Sequence, residues 1–138
     1  MAYIYVVRCE DHSLYTGIAR DVKARVVEHY YRTPRAAKYT KSHQVCGVAG
    51  VWECEKWGDA ARFEAAFKRI PKDVKETVLQ CPRTAISTCG IYSRGKLDTS
   101  LYTTVEGITL QSCLAEVPRP KDASEHTIGK VAKGAKKS

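Results

Sequence analysis

Two tyrosines, an arginine, a histidine and a glutamate stand in this sequence where they could act together on a phosphodiester. Tyr5 and Tyr15, ten residues apart, occupy two aromatic and β-branched stretches; a hairpin would set them on paired strands, with Gly17 ending the second strand where the chain must turn or be closely approached. Arg25 and His29 follow at i and i+4 of a helical pattern, so they share a face beside Val22 and Val26 at the border of an apolar stripe. Glu64 falls between Phe63 and Phe67, again at the border of an apolar helix face. Hydrolysis of a phosphodiester needs a carboxylate for a divalent cation, positive charge for the phosphorane-like transition state and a group that takes a proton from water. These five side chains can supply all three. Each also has a plainer reading, as a packed tyrosine, a solvated Arg-His face or a salt-bridged glutamate; the joint arrangement favours chemistry.

The elements that must position them can be read from the pattern. Tyr3 to Cys9 and Leu14 to Ile18, separated by Glu10-Asp11-His12-Ser13, read as a β-hairpin. Asp21 can cap a helix in which Val22, Val26 and Tyr30 recur up to about Tyr31. From Arg32 to His43 the chain holds Arg32, Arg35, Lys38 and Lys41, no acid and a proline, which predicts an irregular loop of positive potential. Val48 to Glu55 reads as a third strand. A helix opening at Gly58-Asp59 puts Ala60, Phe63, Phe67 and Ile70 on one face up to Pro71, and Lys72 to Gln80 continues as a short helix with Val74, Val78 and Leu79 inward. The order strand, strand, helix, strand, helix, helix defines an α/β unit around a small antiparallel or mixed sheet, residues 1–80. Beyond Cys81-Pro82 the pattern weakens. Short β-prone pieces from Thr84 to Val117 predict an irregular β-rich appendage over residues 81–118, and the last twenty residues, with six Lys or Arg against two acids, predict a flexible basic tail over 119–138.

Composition bounds the partners. A chain of 138 residues accommodates one domain and an extension, and 43% hydrophobic with 28% charged residues places it outside the disordered and membrane classes. A net charge of +8 favours a polyanionic partner. The six cysteines have no C-x-x-C spacing, and His12, His29, His43 and His126 do not follow them at finger spacing, so free thiols are expected rather than disulfides or structural zinc. No apolar run of membrane-spanning length occurs, and the strand-like segment beginning at Ala2 leaves no room for a targeting peptide. The expected location is cytoplasmic or nuclear, with no membrane partner.

The five-residue set also resembles a family. Tyr3-Ile4-Tyr5, then Tyr15-Thr16-Gly17, then D-V-K-A-R-V-V-E-H from Asp21 to His29, and A-R-F-E-A-A-F-K from Ala61 to Lys68 resemble the signature of the GIY-YIG nucleases over residues 2 to about 80. The likeness is to the small standalone bacterial-type members and to the catalytic module of the eukaryotic structure-specific endonuclease subunit, without its RING domain. It implies an α/β (α+β) fold: a small three-stranded, mainly antiparallel sheet flanked by helices, with an irregular C-terminal extension. It implies a divalent-metal-dependent endonuclease acting on DNA, of a kind that includes structure-specific enzymes of repair and recombination. Tyr5 would activate water with His29 as its helper, Tyr15 would hydrogen-bond the scissile phosphate or the water, Arg25 would stabilise charge, and Glu64 would ligate one Mg²⁺ or Mn²⁺. Gly17 would let the backbone approach the site, and Lys68 matches a position often basic in the standalone members, where it would either contact phosphate or stand as a solvated lysine. DNA would be engaged by Arg32, Arg35, Lys38 and Lys41; the Lys130 to Lys137 tail would either join them or serve as a solubilising extension, and Tyr39 would either pack over the domain or stack on a base. The other reading is a catalytically weak nucleic-acid-binding module that retains the nuclease fold. A literal Gly90-Ile91-Tyr92, with Tyr102 ten residues on, is read as a chance match, since no Arg-x-x-x-His follows it.

Overall fold

The computed structural model describes residues 1–93 and 95–123. The aromatic and β-branched run at the start forms strand β1 (Ala2–Cys9), which turns at Asp11-His12 and returns as β2 (Leu14–Ala19). His12 takes φ +70 in that turn. Strand β3 (Val45–Cys54) lies antiparallel on the other side of β1, and a two-residue strand β4 (Thr103–Thr104) extends the sheet to the order β2-β1-β3-β4. The three expected strands are present and antiparallel; the fourth was not foreseen. Strand β3 also begins three residues earlier than its hydrophobic pattern predicts, because irregularities in the β1–β3 register let Val45 pair with Cys9.

Being central, β1 is covered on both faces, and its alternation sorts the core into two parts. Ala2, Ile4 and Val6 face a cluster with Trp52, Phe63, Phe67 and Ile70, while Tyr5, Val7 and Cys9 face Val22, Val26, Val27 and Val51. The first face is closed by α3 (Trp57–Arg69) and α4 (Lys72–Leu79). The second is closed by α1 (Val22–Tyr30), whose first turn is capped by the Asp21 carboxylate accepting from Ala24 N at 3.1 Å. A short helix α2 (Lys38–Ser42) forms within the stretch expected to be an irregular loop.

The segment expected to be short β-prone pieces is mainly helical. Helix α5 (Thr84–Tyr92) and helix α6 (Leu110–Glu116) flank a 3-10 turn at Thr99–Leu101 and strand β4. Threonine and isoleucine in α5 favour strands by propensity, but Ala85 and Cys89, four apart, fall on one helix face and join the Trp52 cluster, so packing overrides propensity. The indole of Trp52 donates to Pro82 O at 2.9 Å where α5 begins. A reciprocal Thr109–Ser112 capping box starts α6, which places Leu110 and Cys113 in the second cluster. Gly90-Ile91-Tyr92 is the last turn of α5, with Ile91 79% exposed, and Tyr102 packs on Phe63 and donates to Asp59 O at 2.7 Å; they form no hairpin. All six cysteines are free. Among the described residues no helix is long and apolar enough to cross a membrane. The Lys130 to Lys137 segment lies outside the described residues.

One ion pair ties the sheet to α4. The Arg8 guanidinium donates twice to the Glu76 carboxylate, at 2.8 and 2.7 Å, and Lys72 reaches the same carboxylate at 2.9 Å. Hydrogen bonding from Arg8, then from Lys72, holds Glu76 at about 2, below the ordinary 4.5. A depressed carboxylate contributes stability above its unfolded value and loses it as pH falls toward the folded value. Because the pair is partly exposed, water screens it to about 1 kcal/mol. Glu76→Gln is therefore expected to lower stability by about that much at pH 7, with the difference fading between pH 4.5 and 2; denaturant unfolding of both proteins across that range checks it, and equal stability at pH 7 would contradict it.

Candidate active site

Strand β1 points Tyr5 into the second core face, where it is 1% exposed. Its partner across the hairpin is Gly17, and a Cβ built there would lie 2.6 Å from Tyr5 Cζ. Gly17 is thus buried beneath the tyrosine ring, and the room that it leaves is filled by that ring. Helix α1 supplies His29, fully buried, with Nε2 2.7 Å from Tyr5 Oη and Nδ1 2.8 Å from Thr40 Oγ1. Tyr15 meets the His29 ring edge-on at 5.4 Å and stands 6.4 Å from the Tyr5 ring.

Arg25, one turn before His29, donates to Glu28 Oε1 at 2.9 Å and to Arg35 O at 2.6 Å. Glu28 in turn accepts from Arg35 Nε at 3.0 Å, and Arg35 reaches Asp122 at 3.2 Å. Glu64, on α3, pairs with Lys68 at 3.3 Å and keeps 22% of its side chain exposed. Lys68 also lies over the Tyr15 ring, 6.0 Å from its centroid. The charges of both Arg25 and Glu64 act on Tyr5. The structure therefore gathers Tyr5, Tyr15, Arg25, His29, Glu64 and Lys68 around one point between β1, β2, α1 and α3.

Burial sets the protonation of the central pair. It raises Tyr5 above the ordinary phenol value of 10, with Tyr15 adding to the rise and Arg25 opposing it. It lowers His29 to about 4, assisted by the Arg25 charge. At neutral pH both are uncharged, joined by a hydrogen bond.

The basic segment divides. Arg32, at φ +52, donates Nε to Gln44 Oε1 at 2.9 Å, and Gln44 Nε2 donates to Tyr30 O at 3.1 Å, so Arg32 pins the turn after α1. Arg35 is spent on Glu28 and Asp122, while Lys38 and Lys41 are exposed on α2. Tyr39 is stacked between Tyr15 at 6.0 Å and His43 at 3.9 Å. Sequence reasoning passed over Thr40, Glu28 and His43. Glu28 was visible as the i+3 neighbour of Arg25; nothing in the pattern marks Thr40, because its contact with His29 exists only once the segment folds back.

Residues 1–76 match the GIY-YIG catalytic domain, and the strand order is consistent with that fold: the chain belongs to the GIY-YIG family. Among its relatives, a UPF0213 protein of Fusobacterium nucleatum is 39% identical over 84 residues, 61% of this chain and 82% of that protein. UPF0213 proteins of Streptococcus agalactiae and Cupriavidus necator are 35% and 34% identical, over 57% and 59% of this chain and 88% of each relative. No solved structure matches.

Two expectations follow from the buried pair. Gly17→Ala forces the Tyr5 ring to move and should cost about 1–3 kcal/mol in unfolding free energy; a variant as stable as the wild type would mean that the ring has room to shift. His29 is faced by Tyr5 from β1, Tyr15 from β2, Arg25 and Glu28 on its own helix, and Thr40 from α2. Its folded value of about 4 lies below the ordinary 6.5, so the unfolded chain binds the extra proton first. Stability is then full above pH 6.5 and falls as pH drops toward 4, by about 3 kcal/mol at most. His29→Gln should lack the part of that slope between pH 6.5 and 5, as read by denaturant titration.

Proposed function

We propose that this protein is a divalent-metal-dependent endonuclease that hydrolyses DNA phosphodiester bonds. The observation that carries the reading is the buried Tyr5–His29 hydrogen bond of 2.7 Å, placed beside the Arg25 guanidinium and the Glu64 carboxylate. A packing tyrosine requires no buried histidine at its hydroxyl, and burying polar groups has a cost unless they are paired.

Glu64 is the residue that would hold the cation. Among the described residues no group of three or more His, Cys, Asp or Glu could hold a metal, and Glu64 has Lys68 as its ion-pair partner with part of its carboxylate open. One open carboxylate fits Mg²⁺ or Mn²⁺, which retain several waters and take remaining ligands from phosphate oxygens. When bound, the cation supplies positive charge to the phosphoryl oxygens.

This chain's own residues do the rest. Tyr5 is too weakly acidic at rest to stand as a phenolate, so it acts as a relay: its oxygen receives a proton from the attacking water as its own proton passes to His29 Nε2. The arriving phosphate offsets the positive field of Arg25, which opposes protonation of His29 in the free protein. Arg25 stabilises the charge that develops on the phosphate, held in place by Glu28. Tyr15 and Lys68 contact the phosphate from the β2 and α3 sides. Lys38 and Lys41 engage flanking backbone charge, a contact that positions the DNA without reading sequence.

Cleavage assays on labelled duplex, branched and single-stranded DNA, with and without Mg²⁺, test this. Wild-type cleavage should depend on the metal, and Glu64→Ala and Arg25→Ala should lower it by at least 10²-fold with circular dichroism unchanged. A role in repair or recombination would appear as preference for branched or flapped forms. Full activity in the Glu64→Ala protein would sink the assignment, and DNA retention without any turnover by the wild type would favour the weak binding module.

A further inference from the structure

Thr40 is fully buried in helix α2, and its hydroxyl lies between two hydrogen-bonding partners. On one side is Ala37 O, 3.0 Å away, a carbonyl that can only accept. On the other is His29 Nδ1, 2.8 Å away, and the far nitrogen of that ring meets Tyr5 Oη at 2.7 Å. A hydroxyl has one proton. Given to Ala37 O, it leaves the Thr40 oxygen to accept, and Nδ1 must then carry the imidazole proton. Nε2 is left with its lone pair toward the Tyr5 hydroxyl. The competing arrangement has a bare Nδ1 accepting from Ala37 N at 3.3 Å, which is the longer contact, and an Nε2–H that donates to the Tyr5 oxygen; Arg25 also faces that oxygen as a donor, so the phenol proton would be left without the imidazole as its acceptor.

We propose that Thr40 is a positioning residue that fixes His29 as the Nδ1–H tautomer, so that Nε2 is free to take the proton of Tyr5. The assignment rests on the nuclease reading of Tyr5 and His29 and adds a third member to their relay. The balance is complete within these groups: water loses a proton to the Tyr5 oxygen, the Tyr5 O–H bond breaks as the Nε2–H bond forms, and the imidazolium keeps its Nδ1–H on Thr40. The second-sphere partner is a neutral hydroxyl rather than a carboxylate, so it orients the ring without making it a strong resting base. The geometry also links two parts of the molecule. Thr40 stands between Lys38 and Lys41 on the same five-residue helix, so the element that presents those cations to DNA is the one that sets the histidine proton.

Nitrogen NMR of the full chain labelled at histidine reads the tautomer without substrate. The wild type is expected to show His29 protonated at Nδ1, and Thr40→Val, which keeps the shape and removes the hydroxyl, to shift it toward Nε2–H. In DNA cleavage the same variant should lose on the order of 10–100-fold in kcat with KM little changed, and Thr40→Ser should restore both tautomer and rate. Wild-type His29 found protonated at Nε2, or a Thr40→Val protein with wild-type kcat, overturns the assignment. A wild type that cleaves no DNA fails the nuclease reading instead, and the NMR result stands apart from it.

Discussion

A hydroxyl and an imidazole meet where the sheet packs on its first helix, out of reach of water, and each would be costly to bury without the other. The Tyr5–His29 bond therefore constrains everything that surrounds it. Tyr5 must come from the inward face of the central strand, which requires β1 to be covered on both sides and hence two helical layers. Its ring can lie across the hairpin only because residue 17 has no side chain. His29 must fall two turns into a helix whose start is fixed by Asp21, and the chain after α1 must fold back so that Thr40 satisfies the second ring nitrogen. Arg32 in its left-handed conformation, locked by Gln44, is what turns the chain that way.

The same logic explains which parts were legible in the sequence. Strands β1 and β2, helix α1 and helix α3 have strong periodicity and clear caps or breakers, so their positions and inward faces could be read locally, and with them the placement of Tyr5, Tyr15, Arg25, His29 and Glu64. Contacts made across distance could not. Thr40 is eleven residues from His29, in a stretch whose charge suggested a loop. Helices α5 and α6 are short and lack a long amphipathic stripe, and α5 contains β-branched residues; each is held by two buried positions, Ala85 with Cys89 and Leu110 with Cys113. Tertiary packing decides such segments, and a sequence pattern carries little of it.

Those later elements are part of the machinery's support. Ala85 and Cys89 complete the Trp52 cluster beneath α3, the helix that bears Glu64, while α6 packs over the face that holds α1, with Lys23 bonded to Glu116 at 2.7 Å. Past α6, Asp122 reaches Arg35, Arg35 holds Glu28 and Glu28 holds Arg25. A chain of charges thus runs from the C-terminal part of the described chain to the guanidinium at the site.

In the free protein every charge at the site already has a partner: Arg25 has Glu28, and Glu64 has Lys68. These pairs are partly exposed, so each is individually weak, and a phosphate dense in negative charge can compete for the cations. If Glu64 holds the cation of the proposed function, Lys68, whose ammonium already overhangs Tyr15, is left free to turn toward the substrate. Arg25 differs, because Glu28 is itself clamped by Arg35 and would stay in place while the remaining guanidinium donors turn to the phosphate. One cation would therefore be exchanged and the other held. Preorganised positive charge is most effective when it does not move during the reaction, so the held arginine is the better candidate for stabilising the transition state and the released lysine for recognising the bound strand.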